Sequence, residues 1–288
     1  MHPFRLAPFN TLPMNLVLLV LLAGLAGCAN RPQAPRPVQP AGSAASVAST
    51  LARLAALPSA DAILLGEQHD AAEHQTIAQQ VVASLAARNQ LAALAIEMAD
   101  AGTGTSRLKP GASEDAVRLE LDWNERGWPW QTYGPVVMAA VRAGVPVLGA
   151  NLPGARLRTA MADSTLDGTL PEAAMQAQQQ SIRSGHCDLL PPSQWLPMAR
   201  VQIARDRSMA QALSQAALPG KVLVLLAGSG HVDRQLGVPQ HLPASMSVQA
   251  VRLAADPGAQ TTPSAAFDAV WPTAPAPEQD YCEQLRKK

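Results

Sequence analysis

KVLVLLAGSGHVD, residues 221–233, is the stretch that decides the fold. Its apolar run is short, lacks polar alternation and stops at glycine. Such a run predicts a strand over 221–227 that is buried on both faces, the kind found in parallel sheets. The residues released at its end are Gly228-Ser229-Gly230-His231-Val232-Asp233. The same grammar appears at 61–70, DAILLGEQHD, where a strand over 61–66 releases Gly66-Glu67-Gln68-His69-Asp70. Working outward, AALAIE (92–97) ends in Glu97-Met98, and the strand at 147–150 ends in Asn151. A further strand is expected at 248–253, and an edge strand at Ala269-Val270-Trp271.

Helical spacing fills the intervals. Ile77, Val81 and Leu85 place a helix over 71–88; Val117 and Leu121 place one over 114–123. Further helices are expected at 135–143, 155–161, 172–183 and 194–214, while 102–111 and the Trp/Pro-rich 127–131 read as loops. Strands alternating with helices give an α/β fold: a mostly parallel sheet, helices on both faces, in a single domain over 47–288. Right-handed crossovers then bring the strands' C-terminal ends to one edge, where open α/β sheets bind ligands.

That edge collects the chemistry. Gly66-x-x-His69 and Gly228-x-x-His231 both follow buried strands, with glycine expected to let the chain turn sharply. Glu67, Glu97 and His74 are candidate companions. Two histidines with carboxylates suit a divalent metal held by His69 and His231, general acid/base work, or an anchored prosthetic group. They equally suit buried structural histidines bonded to neighbouring carboxylates. The chain holds only five Trp, two Tyr and three Phe, yet Trp123, Trp128, Trp130 and Tyr133 fall close together. They form either a flat wall for a large planar ligand or a cap on the core. Met198, Arg205, Asp206 and Met209 read as a core-facing helical stripe with an ion pair; His186 and His241 read as loop residues.

Composition narrows the classes. Lys+Arg and Asp+Glu are equal at 22 each, which excludes a polybasic nucleic-acid binder, and 48% hydrophobic residues exclude a disordered chain. The N-terminus carries an apolar run over 16–23 that ends in Leu25-Ala26-Gly27-Cys28. This order resembles a bacterial lipobox: signal peptide 1–27, lipid acylation (palmitate among the chains) on Cys28, and a Pro/Ala-rich tether over 28–46. The expected address is the cell envelope, lipid-anchored at the outer membrane and facing the periplasm. In that oxidising compartment the remaining Cys187 and Cys282 are expected to pair.

ILLGEQHDAAEHQ (63–75), AIEM (95–98), WPWQTYGPV (128–136), GVPVLGANLP (144–153), RDRSMA (205–210) and VLLAGSGHVDRQLGVPQHL (224–242) occur in one order across residues 61–253. Together they resemble the ChaN-like family of haem-binding lipoproteins, within a wider group of erythromycin-esterase-like and TIKI-type proteins. The resemblance implies haem binding in the envelope, a link to iron acquisition, a homodimer with two haems face to face, and a tyrosine on iron. An outer-membrane haem receptor is an expected partner. Tyr133 is the tyrosine within the matched stretch, with Trp128 and Trp130 expected near the macrocycle and Arg126 at a propionate. The GExH and GxxH positions carried over are Glu67, His69 and His231, with His74 next. The wider group implies the alternative, a metal-dependent hydrolase in which His69 and His231 hold the ion and Glu67 is the base.

Overall fold

A computed structural model describes residues 43–256 and 262–286. The signal peptide, Cys28 and most of the tether lie outside the described residues. The tether's last residues, 44–46, belong instead to helix α1 (Ala44–Ala56), which Ser43 caps by accepting a hydrogen bond from the Ser46 N–H. No described helix is long and apolar enough to cross a membrane.

Six parallel strands form one sheet: β1 (Ala62–Glu67), β2 (Leu91–Asp100), β3 (Val147–Asn151), β4 (Val222–Gly228), β5 (Val248–Ala254) and β6 (Ala269–Pro272). Their order is β3-β2-β4-β1-β5-β6, every pair parallel. The α/β reading of the sequence is therefore the fold observed, and residues 269–271 do form the edge strand.

Period-two alternation assigns each strand residue a face. Ile63, Leu65, Leu94, Ile96, Val224 and Leu226 pack against helices α2 (Ala72–Ala87) and α4 (Trp130–Arg142). Ala62, Leu64, Ala93, Ala95, Leu223 and Leu225 pack on the other face against Met209, Ala210 and Leu213 of α7 (Trp195–Ala216). Between these lie α3 (Glu114–Glu120), α5 (Leu157–Ala162) and α6 (Glu172–Gly185). A short α8 (Ser229–Val232) follows β4, and α9 (Tyr281–Arg286) closes the described chain.

Helix α4 begins five residues before the expected start at 135, and this changes the environment of its tyrosine. Pro135 sits inside the helix and forfeits one backbone hydrogen bond. The start is held by Glu125, whose carboxylate accepts the Trp130 N–H at 3.1 Å. Burial of Trp130, Tyr133 and Val137 on one helical face offsets the loss. The helix ends as glycine prefers: Gly144 takes φ +74, its N–H bonds the Val141 carbonyl, and Val145 N–H bonds that of Ala140.

A disulfide joins Cys187 to Cys282, 95 residues apart. It ties α9 to the turn after α6, as the pairing of the two leftover thiols implies.

Candidate functional site

Strand parity sets the site. Glu67 follows Ile63 and Leu65 onto the α2/α4 face, and Glu97 follows Ala93 and Ala95 onto the α7 face. The two carboxylates therefore leave adjacent regions of the sheet on opposite sides, and His69 bridges them at its edge. The imidazole Nδ1 lies 2.8 Å from Glu67 Oε1, and Nε2 stands 3.9 Å from Glu97 Oε2. The first is a hydrogen bond; the second is beyond hydrogen-bond reach, so Nε2 keeps its bonding capacity.

Glu67 is only 1% exposed, yet its carboxylate is well supplied with donors. Tyr133 Oη donates to Oε1 at 2.9 Å, Gln75 Nε2 donates to Oε2, and His69 Nδ1 completes the set. Glu97, 4% exposed, accepts the Gly228 N–H at 2.7 Å and faces His231 Nε2 at 3.5 Å. On its other side His231 meets Asp206 of α7, with Nδ1 2.6 Å from Oδ1. Burial alone would depress His231, but the carboxylates of Glu97 and Asp206 prevail and push it up to about 10. It is an imidazolium between two carboxylates. Burial would raise Glu97, whereas the charges of His231 and His69, with the bonds from His231 and the Gly228 N–H, hold it down to about 2. His69 is likewise raised: burial works against the charged form, and Glu67 and Glu97 outweigh it.

Two glycines serve this geometry by close approach, since both are extended rather than left-handed. A Cβ on Gly228 would come 3.1 Å from His69 Nε2 and 3.5 Å from Glu97 Oε2. A Cβ on Gly66 would come 2.3 Å from Val232 Cγ2 and 2.9 Å from Ser229 Cα, so α8 could not lie across β1. The sharp turn expected at Gly66 is replaced by straight strand, because β1 continues through Glu67.

Several sequence expectations are corrected. His231 turns each ring nitrogen to a carboxylate, Nε2 to Glu97 at 3.5 Å and Nδ1 to Asp206 at 2.6 Å. Among the described residues no group of three His, Cys, Asp or Glu side chains is arranged to hold a metal ion. His74 lies outside the cluster. It is fully buried, its Nδ1 accepts the Gln68 N–H at 2.9 Å, and its Nε2 meets Thr273 Oγ1 at 3.0 Å. A backbone donor on Nδ1 fixes the neutral tautomer, and burial lowers the ring to about 4. Its work is to pin the turn that carries Glu67 and His69.

Trp130 is core: its Nε1 donates to Glu114 Oε2 at 2.8 Å and its ring packs edge-on against Trp123. Trp128 is half-buried and stands 4.9 Å from the His69 ring, edge-on, with Tyr133 5.7 Å away. Tyr133 is 3% exposed. Burial first, then the neighbouring Glu67 charge and bond, raise its phenol far above the usual range. Arg126 is exposed and lies on the loop before Trp128. His69 alone in the cluster is widely open, its side chain 41% exposed.

Sequence reasoning missed two members. Asp206 is 1% exposed and bonds His231 rather than merely pairing within its helix, and Gln75 holds Glu67. Asp206 does fall inside RDRSMA, but nothing local to that helix names its partner.

A search with family models matches residues 53–242 to haem-binding uptake, Tiki superfamily, ChaN. Among solved structures, one titled for cofacial haem binding to ChaN of Campylobacter jejuni is 24% identical, covers 77% of this chain and 89% of that one, and has a TM-score of 0.60. The type III effector HopBA1 is 15% identical over 75% of this chain and 88% of that one, with a TM-score of 0.37. A Bacillus cereus protein is 12% identical over 76% and 71% respectively, with a TM-score of 0.43. No curated protein matches the sequence significantly. With the model spanning about two thirds of the residues and the fold agreeing, the chain belongs to the ChaN family of haem-binding uptake proteins in the Tiki superfamily.

Proposed function

We propose that this protein binds haem at the sheet's C-terminal edge, as a lipid-anchored protein of the cell envelope that takes part in haem or iron acquisition and handover. The observation that carries the reading is the family match over 53–242. The anchor on Cys28, the outer-membrane address, the receptor and the face-to-face homodimer rest on the lipobox and on the family, and belong to the proposal.

A phenolate at Tyr133 would place a second negative charge against the buried Glu67 and would require the hydrogen bond between them to break. His69 fits better. Metal-ligating histidines commonly donate their other ring N–H to a carboxylate, and His69 Nδ1 does so to Glu67 while Nε2 stays free of hydrogen bonds. Trp128 supplies an aromatic flank and the exposed Arg126 a forked donor for a carboxylate. Bound haem would supply a redox-active iron centre, tuned by the hydrogen bond that the residue holding it keeps. Glu67 would orient the ring, and Tyr133 and Gln75 would hold Glu67.

The test is a haemin titration followed by absorbance and size exclusion. Wild type gives a saturable Soret shift and a move to dimer. His69→Ala loses the shift and Tyr133→Phe keeps it. The opposite pattern makes Tyr133 the ligand, and no saturable shift in wild type removes haem from the reading.

A further inference from the structure

Apart from the His69 cluster, a groove of about 910 Å³ opens beside α7, between α5, the end of β2 and the short turn over 238–241. Its size is that of a site for a small molecule. The floor is apolar, with Leu152, Ala160 and Leu166 all buried. Arg156 enters from before α5 and Arg207 from α7. Both are exposed, and neither guanidinium has a hydrogen bond or an ion pair within 4 Å among the described residues. Arg200 nearby is different, since its guanidinium forks onto Asp167 at 2.7 Å by two bonds. The one carboxylate in the lining, Asp163, is engaged by the Thr165 N–H and hydroxyl, and it feels the Arg207 charge only at longer range.

The third wall holds His241, which comes from a separate element. Its Nε2 is shut off from solvent and has no hydrogen-bond partner. Buried polar atoms almost always find one, so this atom calls for an explanation. The imidazole is neutral, lowered to about 4 by burial and then by the Arg207 charge. Two guanidiniums without a direct ion pair thus converge over an apolar floor, and an unsatisfied imidazole lies in the wall from a third element.

We propose that this groove binds a small organic oxyanion, its acidic group held by Arg156 and Arg207 and its apolar body on the Leu152–Leu166 floor, with the His241 ring in the adjoining wall as a reporter of occupancy. Guanidinium forks match carboxylate and phosphate alike, so the acidic group is one of these two. The site stands independently of haem binding.

The full chain is titrated with inorganic phosphate and, separately, with hexanoate, while the imidazole resonance of His241 is followed by NMR and assigned with His241→Gln. A saturable shift of that resonance with either probe is expected. Preference for hexanoate assigns a carboxylate with an apolar tail, and preference for phosphate assigns a phosphate ester. The double variant R156Q/R207Q weakens binding about tenfold or more, whereas Arg88→Gln, far from the groove, does not. Haemin titration of R156Q/R207Q matches wild type. Absence of a saturable His241 shift with both probes overturns the proposal, as does equal binding by R156Q/R207Q with an unchanged melting temperature. If the double variant unfolds, the His241 shift in wild type decides alone.

Discussion

His231 holds its proton because Glu97 and Asp206 flank it, so its contribution to stability has a definite sign with pH. The folded ring titrates at about 10 and the free ring near 6.5. The contribution is fully present below pH 6.5 and is lost as pH rises through 10. Replacing His231 with Gln strands two buried carboxylates and is expected to cost about 3–5 kcal/mol at neutral pH. Denaturant melts of wild type and His231→Gln should show that gap narrowing steadily from pH 6.5 to 10. His74 works in the opposite direction. Its folded value of about 4 lies below the free value, so protonation favours the unfolded chain. Stability is lost as pH falls from 6.5 towards 4, on the order of 3 kcal/mol in all. Melts of His74→Gln should lack this acid limb. Glu67, His69, Glu97 and His231 were legible because each directly follows an apolar strand, and the topology sends all such residues to one edge. Gln75 and Asp206 were not. Each lies inside a helix, and what distinguishes it is a partner on another element, Glu67 at the end of β1 for Gln75 and His231 of α8 for Asp206.

Short helices and strands here depend on glycines that allow close contact. Gly66→Ala forces a methyl group into Val232 Cγ2 and the Ser229 backbone, so α8 must lift away from β1. Overpacking of this kind costs about 1–3 kcal/mol. Because α8 carries His231, the variant should also shift the His231 ring resonance in NMR, a change that simple destabilisation would not bring. Strand positions were readable within two or three residues because a buried parallel strand is a continuous apolar run. Helix α4 was read late, since Pro135 looks like a start and only the burial of Trp130 and Tyr133 shows that the helix precedes it. That shift moved Tyr133 from ahead of the expected helix onto a core-facing helix and changed its chemistry. Helix α1 was missed because its Ala- and Ser-rich start resembles the tether before it, and packing of Leu54 on the core decides the matter.

At the scale of the molecule, the tail is bound to the site's rim by more than its disulfide. Tyr281 donates to Asp70, the Ala274 N–H bonds Glu73 at 2.7 Å, and Thr273 meets His74. Removing the cross-link in C187S/C282S is expected to cost about 2–5 kcal/mol, read by denaturant melts. Amide exchange should quicken first in 274–286 and then at Asp70. The sequence announced a parallel sheet but not the order β3-β2-β4-β1-β5-β6, because apolar runs carry no label for their neighbours.

That order has a consequence for how the protein is made. β1 pairs with β4 and β5 and with nothing earlier, so its first neighbour begins at residue 222. A chain emerging from the ribosome N-terminus first must hold this buried strand unpaired until residue 222 has been made. Contacts this distant come late and are the slow part of assembly. Until residue 222 is made, then, β1 has no strand to pair with, and Glu67 meets the His231 end of the sheet only after residue 231 has followed.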